Sequence, residues 1–270
     1  MQNTPPDRPP AYLIESVDAA LQIVVLIKQR GELRVSEAAA ELGIARSTAH
    51  RLLRTLVWRN FLTQDRVGKA YRAGPVLVEL TMETLKAASL RTVTRPRLEQ
   101  LSAQLDATVS LLIREGGNAR FLDQVEGSRP IPGRAPAGSL LPATTVSGGK
   151  VLLAWLPEAE RRALYPGRLP KLTPHTTTDH EALAVEFAEV RRKGYALNVD
   201  GSFLGLSALA VPIRGADGKV IASLAASTRT DQFAEYPLER VLEPMLAAAA
   251  SIGLDLESAA VSGTVRAANS

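Results

Sequence analysis

The chain has no cysteine in 270 residues, which excludes disulfide staples, thiolate metal sites and cysteine nucleophiles and fits a reducing compartment. Histidine is scarce as well. His50, His175 and His180 are the only three, and none has the spacing of an HExxH metal site. There is no GxSxG elbow for a serine nucleophile. SGGK at 147–150 looks like the end of a phosphate loop, but Thr144 stands where the first glycine of GxxxxGK belongs and Val151 follows the lysine. Ser147 and Lys150 could be drawn as a dyad, yet no orienting group accompanies them. No enzymatic activity, metal or cofactor is therefore expected. The chain also lacks the run of about 20 apolar residues that a membrane span requires. Its opening, MQNTPPDRPPAY, has no apolar signal-peptide region, so residues 1–14 are expected to be a disordered leader and the protein soluble and cytoplasmic.

Charge of one sign is not in excess overall, since the net charge is only +4, but it is unevenly placed. Residues 44–72 carry seven basic side chains (Arg46, Arg51, Arg54, Arg59, Arg66, Lys69, Arg72) against the single acid Asp65, a surplus larger than that of the whole chain. From residue 91 onward 20 basic residues face 19 acids. A polyanionic partner is thus expected for the N-terminal third alone, with a second, nearly neutral function behind it. The length suits one large domain or two ordinary ones, and a 46 % hydrophobic content is enough for their cores.

The basic surplus has a pattern. In GIARSTAHRLLRTL, residues 43–56, Ala45, Ala49, Leu52, Leu53 and Leu56 recur with helical period and form one apolar stripe. Arg46, Ser47, Thr48, His50, Arg51 and Arg54 lie off that stripe, with no acid among them, a donor-rich face suited to phosphates and base edges. A first helix is expected over residues 16–29, capped by Ser16, with Val17, Ala20, Leu21, Val24, Val25 and Ile27 inward. After extended residues 33–35, Ser36 is expected to cap a second helix that Gly43 ends. Helix, glycine turn, helix with the basic face on the second member is a helix-turn-helix. Residues 61–64 and 70–73 then read as a hairpin wing with its glycine late in the turn, placing Arg66, Lys69 and Arg72 near flanking phosphates.

The run from Ser16 to Leu80, above all ELGIARSTAHRLLRTLVWRNFLTQD and YRAGPVLVEL, resembles the winged helix-turn-helix of the IclR (isocitrate lyase regulator) family of bacterial transcription factors. RPRLEQLSAQLDATVSLLI, SGGKVLLAWLP, LTPHTTTDHEALAVEFAEVRRKGYA and GLSALAVPI are similar to that family's effector-binding domain. Read independently, residues 92–260 show strands at 109–114, 119–125, 207–213 and 220–227, with Gly116-Gly117 and Asp217-Gly218 as turns. Helices are expected at 76–91 as a linker and at about 93–105, 148–155, 179–193 (capped by Thr178 with Glu181) and 238–258.

The fold class expected is α+β: a winged helix-turn-helix at 15–75, a linker helix at 76–91, an α+β domain with a central antiparallel sheet at 92–260, and a disordered tail at 261–270. The resemblance implies that this domain is GAF-like, and that its effector pocket falls on Ser147, Gly148, Asn198, Leu206, Ala208, Ala225 and Ser227. Asn198 stands where the family often has aspartate and Ala208 where it often has cysteine. A pocket with hydroxyl and amide groups and no acid suits an organic or aromatic acid. The expected partners are a double-stranded, palindromic DNA operator, a small-molecule effector and a second copy of the chain, and the resemblance implies dimers able to pair; no membrane is expected. The alternatives are a DNA-binding protein whose second domain only oligomerises and an enzyme fused to a DNA-binding module.

Overall fold

The helical and alternating stretches of the chain fold into two units, Met1–Lys86 and Ala87–Ser270. The computed structural model describes residues 12–65, 67–129, 134–235 and 237–268, without the side chains of residue 83 and of 260–268.

In the first unit, α1 (Glu15–Arg30) is followed by β1 (Glu32–Leu33), α2 (Val35–Leu42), α3 (Arg46–Trp58), β2 (Leu62–Gln64) and β3 (Tyr71–Ala73). The strands form an antiparallel sheet in the order β1-β3-β2. Ile23, Ile27, Leu33, Ala38, Ala49, Leu53, Leu62 and Tyr71 make its core. Gly43 takes a left-handed φ of 63° and ends α2, so α3 starts three residues on in a new direction.

Several local expectations are corrected. Ile14, not Ser16, occupies the α1 cap position. The cap of α2 is Arg34, whose backbone N–H donates to Glu37 Oε2 at 2.7 Å, and Ser36 lies inside the first turn. In α1 the buried pair is Ile23 and Ile27, whereas Val17, Leu21 and Val25 are at least half exposed. Apolar residues occupy most of that helix's circumference, so periodicity alone could not choose between its two stripes.

The helices expected at 76–91 and 93–105 are one, α4 (Pro75–Leu105), which continues through Pro96. Proline inside a helix costs about 3 kcal/mol. Leu98, Leu101 and Leu105 are all buried just beyond it, and at roughly 1.5–3 kcal/mol each that burial outweighs the break.

The second unit carries β4 (Thr108–Glu115), β5 (Asn118–Val125), β6 (Leu140–Pro142), β7 (Ala196–Val199), β8 (Leu206–Arg214) and β9 (Val220–Arg229) in one antiparallel sheet ordered β6-β5-β4-β9-β8-β7. One face packs on the C-terminal half of α4 and on α9 (Leu238–Ala268), through Leu98, Leu111, Leu209, Leu224, Met245 and Ile252. The other lies under α5 (Ser147–Ala154) and α7 (His180–Lys193), through Leu112, Val151, Leu153, Leu183, Phe187 and Ala210. Two short helices, α6 (Glu158–Leu164) and α8 (Thr230–Glu235), complete the unit. The edge strands β6 and β7 and these two helices are too short to show a period in the sequence. The cap of α7 is Asp179, whose carboxylate accepts from Ala182 N at 2.8 Å, and not Thr178.

Candidate functional site

Helix α3 rests on the first core through Ala49 and Leu53, with Leu52 and Leu56 partly covered. That seating turns Arg46, Ser47, Thr48, His50, Arg51 and Arg54 outward, all exposed. Ala45, expected in the buried stripe, is exposed at the cap position. Among the described residues, no carboxylate lies within 4 Å of Arg46, Arg51 or Arg54, because every ion pair of this unit is made elsewhere. The face therefore keeps its charge for an external anion.

In the wing, Asp65 N donates to Ala70 O at 2.9 Å and Lys69 N to Asp65 O at 3.2 Å, closing a tight loop. Lys69, not Gly68, takes the positive φ of 53°, and its side chain is exposed. Arg66 lies outside the described residues. Arg72 is exposed but already occupied: its guanidinium donates to Glu32 Oε2 at 2.7 and 3.1 Å across the β1–β3 ladder. The hydrogen bond to Glu32 raises its pKa above the ordinary guanidinium value.

The second site is a cavity of about 40 Å³ between the sheet and the start of α5. All seven residues expected at a pocket line it: Ser147, Gly148, Asn198, Leu206, Ala208, Ala225 and Ser227. Its shape depends on two glycines. A Cβ on Gly148 would lie 2.8 Å from Ser223 Oγ and 2.9 Å from a Leu112 methyl, and one on Gly149 would lie 2.2 Å from the Ala143 carbonyl oxygen. SGGK is thus the close seat of a helix on a sheet and on the preceding turn, and Ser147 and Gly148 of the first turn of α5 line the cavity.

Sequence reasoning missed the wall opposite. Ser110, Phe121, Gln124, Arg134, Ser202 and Phe203 also line the cavity. Gln124 Nε2 donates to Ser110 Oγ at 2.9 Å, and Asn198 Nδ2 to Ser202 Oγ at 3.2 Å. The Arg134 side chain is only 13 % exposed and contacts Gln124 Oε1 and the Glu126 carboxylate. No described lining residue is an acid. The loop after β7 closes one side. Asp200 Oδ1 accepts from Gly205 N at 2.8 Å and Thr230 Oγ1 at 2.7 Å, while Thr173 and Thr176 donate to the Asp200 and Gly201 carbonyls at 2.7 and 2.6 Å. The Thr230 hydroxyl is the chief cause that holds the Asp200 carboxyl below its ordinary pKa.

A bulge connects the cavity wall to α4. β4 pairs Leu111 with Asp123 and Leu112 with Phe121, so Leu122 is skipped. The skip reverses the alternation. Phe121 and Gln124 both reach the cavity, while Asp123, 2 % exposed, meets α4, where Arg95 donates to Oδ1 at 3.1 Å and Arg91 Nε stands 3.6 Å from Oδ2. Arg95 also reaches the Gln124 carbonyl at 3.4 Å.

Among the described residues, no group of three histidine or acidic side chains could hold a metal ion, and no helix is long and apolar enough to cross a membrane.

A winged helix-turn-helix with an unneutralised basic recognition helix, followed by an α+β unit enclosing a donor-lined cavity, belongs to the class of DNA-binding regulators with a small-molecule domain. Residues 16–66 match the IclR helix-turn-helix domain, and residues 82–254 match the C-terminal domain of the bacterial transcriptional regulator IclR. The chain belongs to the IclR family of transcriptional regulators; it is a DNA-binding regulator and not an enzyme. It is 32 % identical over 235 residues to the HTH-type transcriptional regulator XynR of Escherichia coli K12, covering 86 % of this chain and 93 % of that one. A transcriptional regulator from Rhodococcus sp. RHA1 has a similar structure, with a TM-score of 0.61 and 29 % identity over 92 % of this chain and 100 % of that one. An IclR homologue from Microbacterium hydrocarbonoxydans, complexed with 4-hydroxybenzoate, gives 0.60 and 28 % over 88 % and 99 %.

Proposed function

We propose that the protein binds a palindromic operator as a homodimer, able to pair into a dimer of dimers, and that a small organic acid held in the cavity changes that binding. The observation that carries the effector half is the convergence of seven residues from α5, β7, β8 and β9 on one cavity that has donors and, among its described lining residues, no acid. The 4-hydroxybenzoate bound to the Microbacterium homologue is in keeping with an aromatic acid. A carboxylate would meet the Arg134 guanidinium and the first-turn N–H groups of α5, with Asn198 and Ser227 fixing the remaining polar atoms and Leu206, Ala208 and Ala225 the apolar wall.

The cavity as it stands is small, about 40 Å³, little more than the space of one water, so on this reading an organic acid widens it on entry. Binding is then necessarily coupled to movement of the wall, and only this differential affinity can shift the regulator. β5 is the wall element with a partner on α4. Displacing Gln124 disturbs Asp123 and its two arginines, and α4 continues to the DNA-binding unit.

On the DNA side, we assign Arg46, Ser47, Thr48, His50 and Arg51 to base edges in the major groove and Arg54, Arg66 and Lys69 to phosphates, with Arg72 joining them where Glu32 releases it. Dimerisation is supported by exposed stripes on α1 (Val17, Leu21, Val25) and the start of α4 (Val78, Met82, Leu85), and a two-fold protein matches a two-fold operator. Calorimetric titration with small mono- and dicarboxylates tests the effector half. One acid should bind at a site that Arg134→Gln weakens about tenfold or more, the loss of a charge-assisted hydrogen bond. Undiminished binding by that variant would remove Arg134 from the site.

A further inference from the structure

The second unit holds another cavity, about 480 Å³, walled by α6, α7 and the loop between them. Its size falls in the range of small-molecule sites, and it shares no lining residue with the 40 Å³ cavity. The floor is apolar: Leu153, Leu169, Leu183 and Phe187 are each at most 5 % exposed. His180 Nε2 lies 2.9 Å from the Gly167 carbonyl and ties the loop to α7, so the mouth is built and not merely left open.

One cation in it lacks a counter-charge. The Arg161 guanidinium lies 5.2 Å over the Phe187 ring and contacts the Leu156 carbonyl, but no carboxylate stands within 4 Å of it among the described residues. Burial first, and the neighbouring Arg191 second, pull it below the ordinary guanidinium pKa. Glu158 on the rim opposes this only as the smallest of the three influences. Glu158 is engaged by Arg162 at 2.7 Å, which leaves Glu181 as the other acid of the lining. A partly desolvated arginine beside a second arginine gains from an anion, and an apolar floor gains from an apolar body. Glu181 at the rim opposes a second negative charge on the ligand.

We propose that this cavity is a second small-molecule site that takes an apolar or aromatic monocarboxylate, its charge on Arg161 and its body on Leu153, Leu169, Leu183 and Phe187. The site is independent of the effector cavity.

The test is fluorine NMR of 4-fluorobenzoate titrated into the full-length protein, into Arg161→Gln and into Ala184→Trp. Ala184 lines this cavity and is exposed, so a tryptophan there fills the space without entering the core. The wild-type protein should give a saturable bound signal that Ala184→Trp abolishes and Arg161→Gln weakens at least tenfold. A further bound signal from the effector cavity should survive in both variants. 4-Fluorobenzylamine, a cation of similar shape, should not compete. No saturable binding, the loss of no bound signal in either variant, or equal competition by the amine for the signal that Ala184→Trp removes would each overturn the proposal. Thermal unfolding of the variants within a few degrees of wild type excludes loss of the fold as the cause.

Discussion

Gly148 and Gly149 offer the sharpest check on how the cavity is built. Alanine is intrinsically favoured over glycine by up to about 1 kcal/mol in a helix interior and by less in the first turn, where both glycines stand. Any loss on replacing either glycine must therefore come from the surroundings and must first offset that gain. At Gly148 the new Cβ meets the Ser223 hydroxyl at 2.8 Å and a Leu112 methyl at 2.9 Å, both side-chain atoms. These can rotate or shift by a few tenths of an ångström, an overpacking cost of roughly 1–3 kcal/mol. Gly148→Ala is expected to be net destabilising by about 0–2 kcal/mol and to reduce a cavity that has little volume to lose. At Gly149 the Cβ meets only backbone: the Ala143 oxygen at 2.2 Å, its Cα at 2.5 Å and its carbonyl carbon at 2.7 Å. No rotamer relieves that contact, so α5 must lift off the turn at Ala143–Thr145. Gly149→Ala should cost more than about 3 kcal/mol, beyond the usual overpacking range. Urea unfolding followed by far-ultraviolet circular dichroism, with effector titration of whichever variants fold, measures both. Equal losses, or the larger loss at Gly148, would refute the close-seat account of SGGK.

Arg51→Ala should weaken operator binding by about 1–3 kcal/mol and random DNA much less, as for a base contact, whereas Glu32→Gln, by freeing Arg72, should steepen the salt dependence on both DNAs by about one phosphate contact; fluorescence anisotropy at several salt concentrations reads each, and an unchanged slope in Glu32→Gln would mean that Arg72 does not reach DNA. Asp123→Asn should leave effector affinity within about threefold but abolish the effector's influence on operator binding, because the link between β5 and α4 is cut; a retained response would place the coupling elsewhere. Because the folded-state pKa of Asp200 is depressed below its ordinary 3.8, its hold on the loop is fully present above that value and is lost as the pH falls through the lowered one. The Gly205 amide shift should therefore titrate with a midpoint below 3.8, and a midpoint above it would contradict the hydrogen bond to Asp200.

What the sequence disclosed follows from where its signals are local. The recognition helix was legible because Ala49 and Leu53 sit one helical turn apart and leave an acid-free remainder. The α+β class and its four long strands were legible from alternation and glycine turns. The seven pocket positions came through family resemblance and not through periodicity; they meet because β7, β8 and β9 are neighbours in the sheet. Arg134 and Gln124 were not legible. Arg134 lies in the proline- and glycine-rich stretch RPIPGRAPAG, which shows no period, and Gln124 faces the cavity only because the bulge at Leu122 reverses the strand's alternation. The caps failed for a related reason: Ser16, Ser36 and Thr178 each stand within two residues of the cap position in use, and that choice is settled by tertiary packing.

Whether a small acid sets the DNA affinity of this regulator is read from binding of the purified protein to DNA from immediately upstream of its own gene and its neighbours. Two salt concentrations, with and without a panel of small organic acids, suffice. Specific binding should weaken steeply with salt, and one class of acid should shift it by about fivefold or more. Specific binding that no acid alters would contradict the effector half and favour a second unit that only oligomerises, and binding indifferent to DNA sequence would contradict the assignment of Arg46, Ser47, Thr48, His50 and Arg51 to base edges.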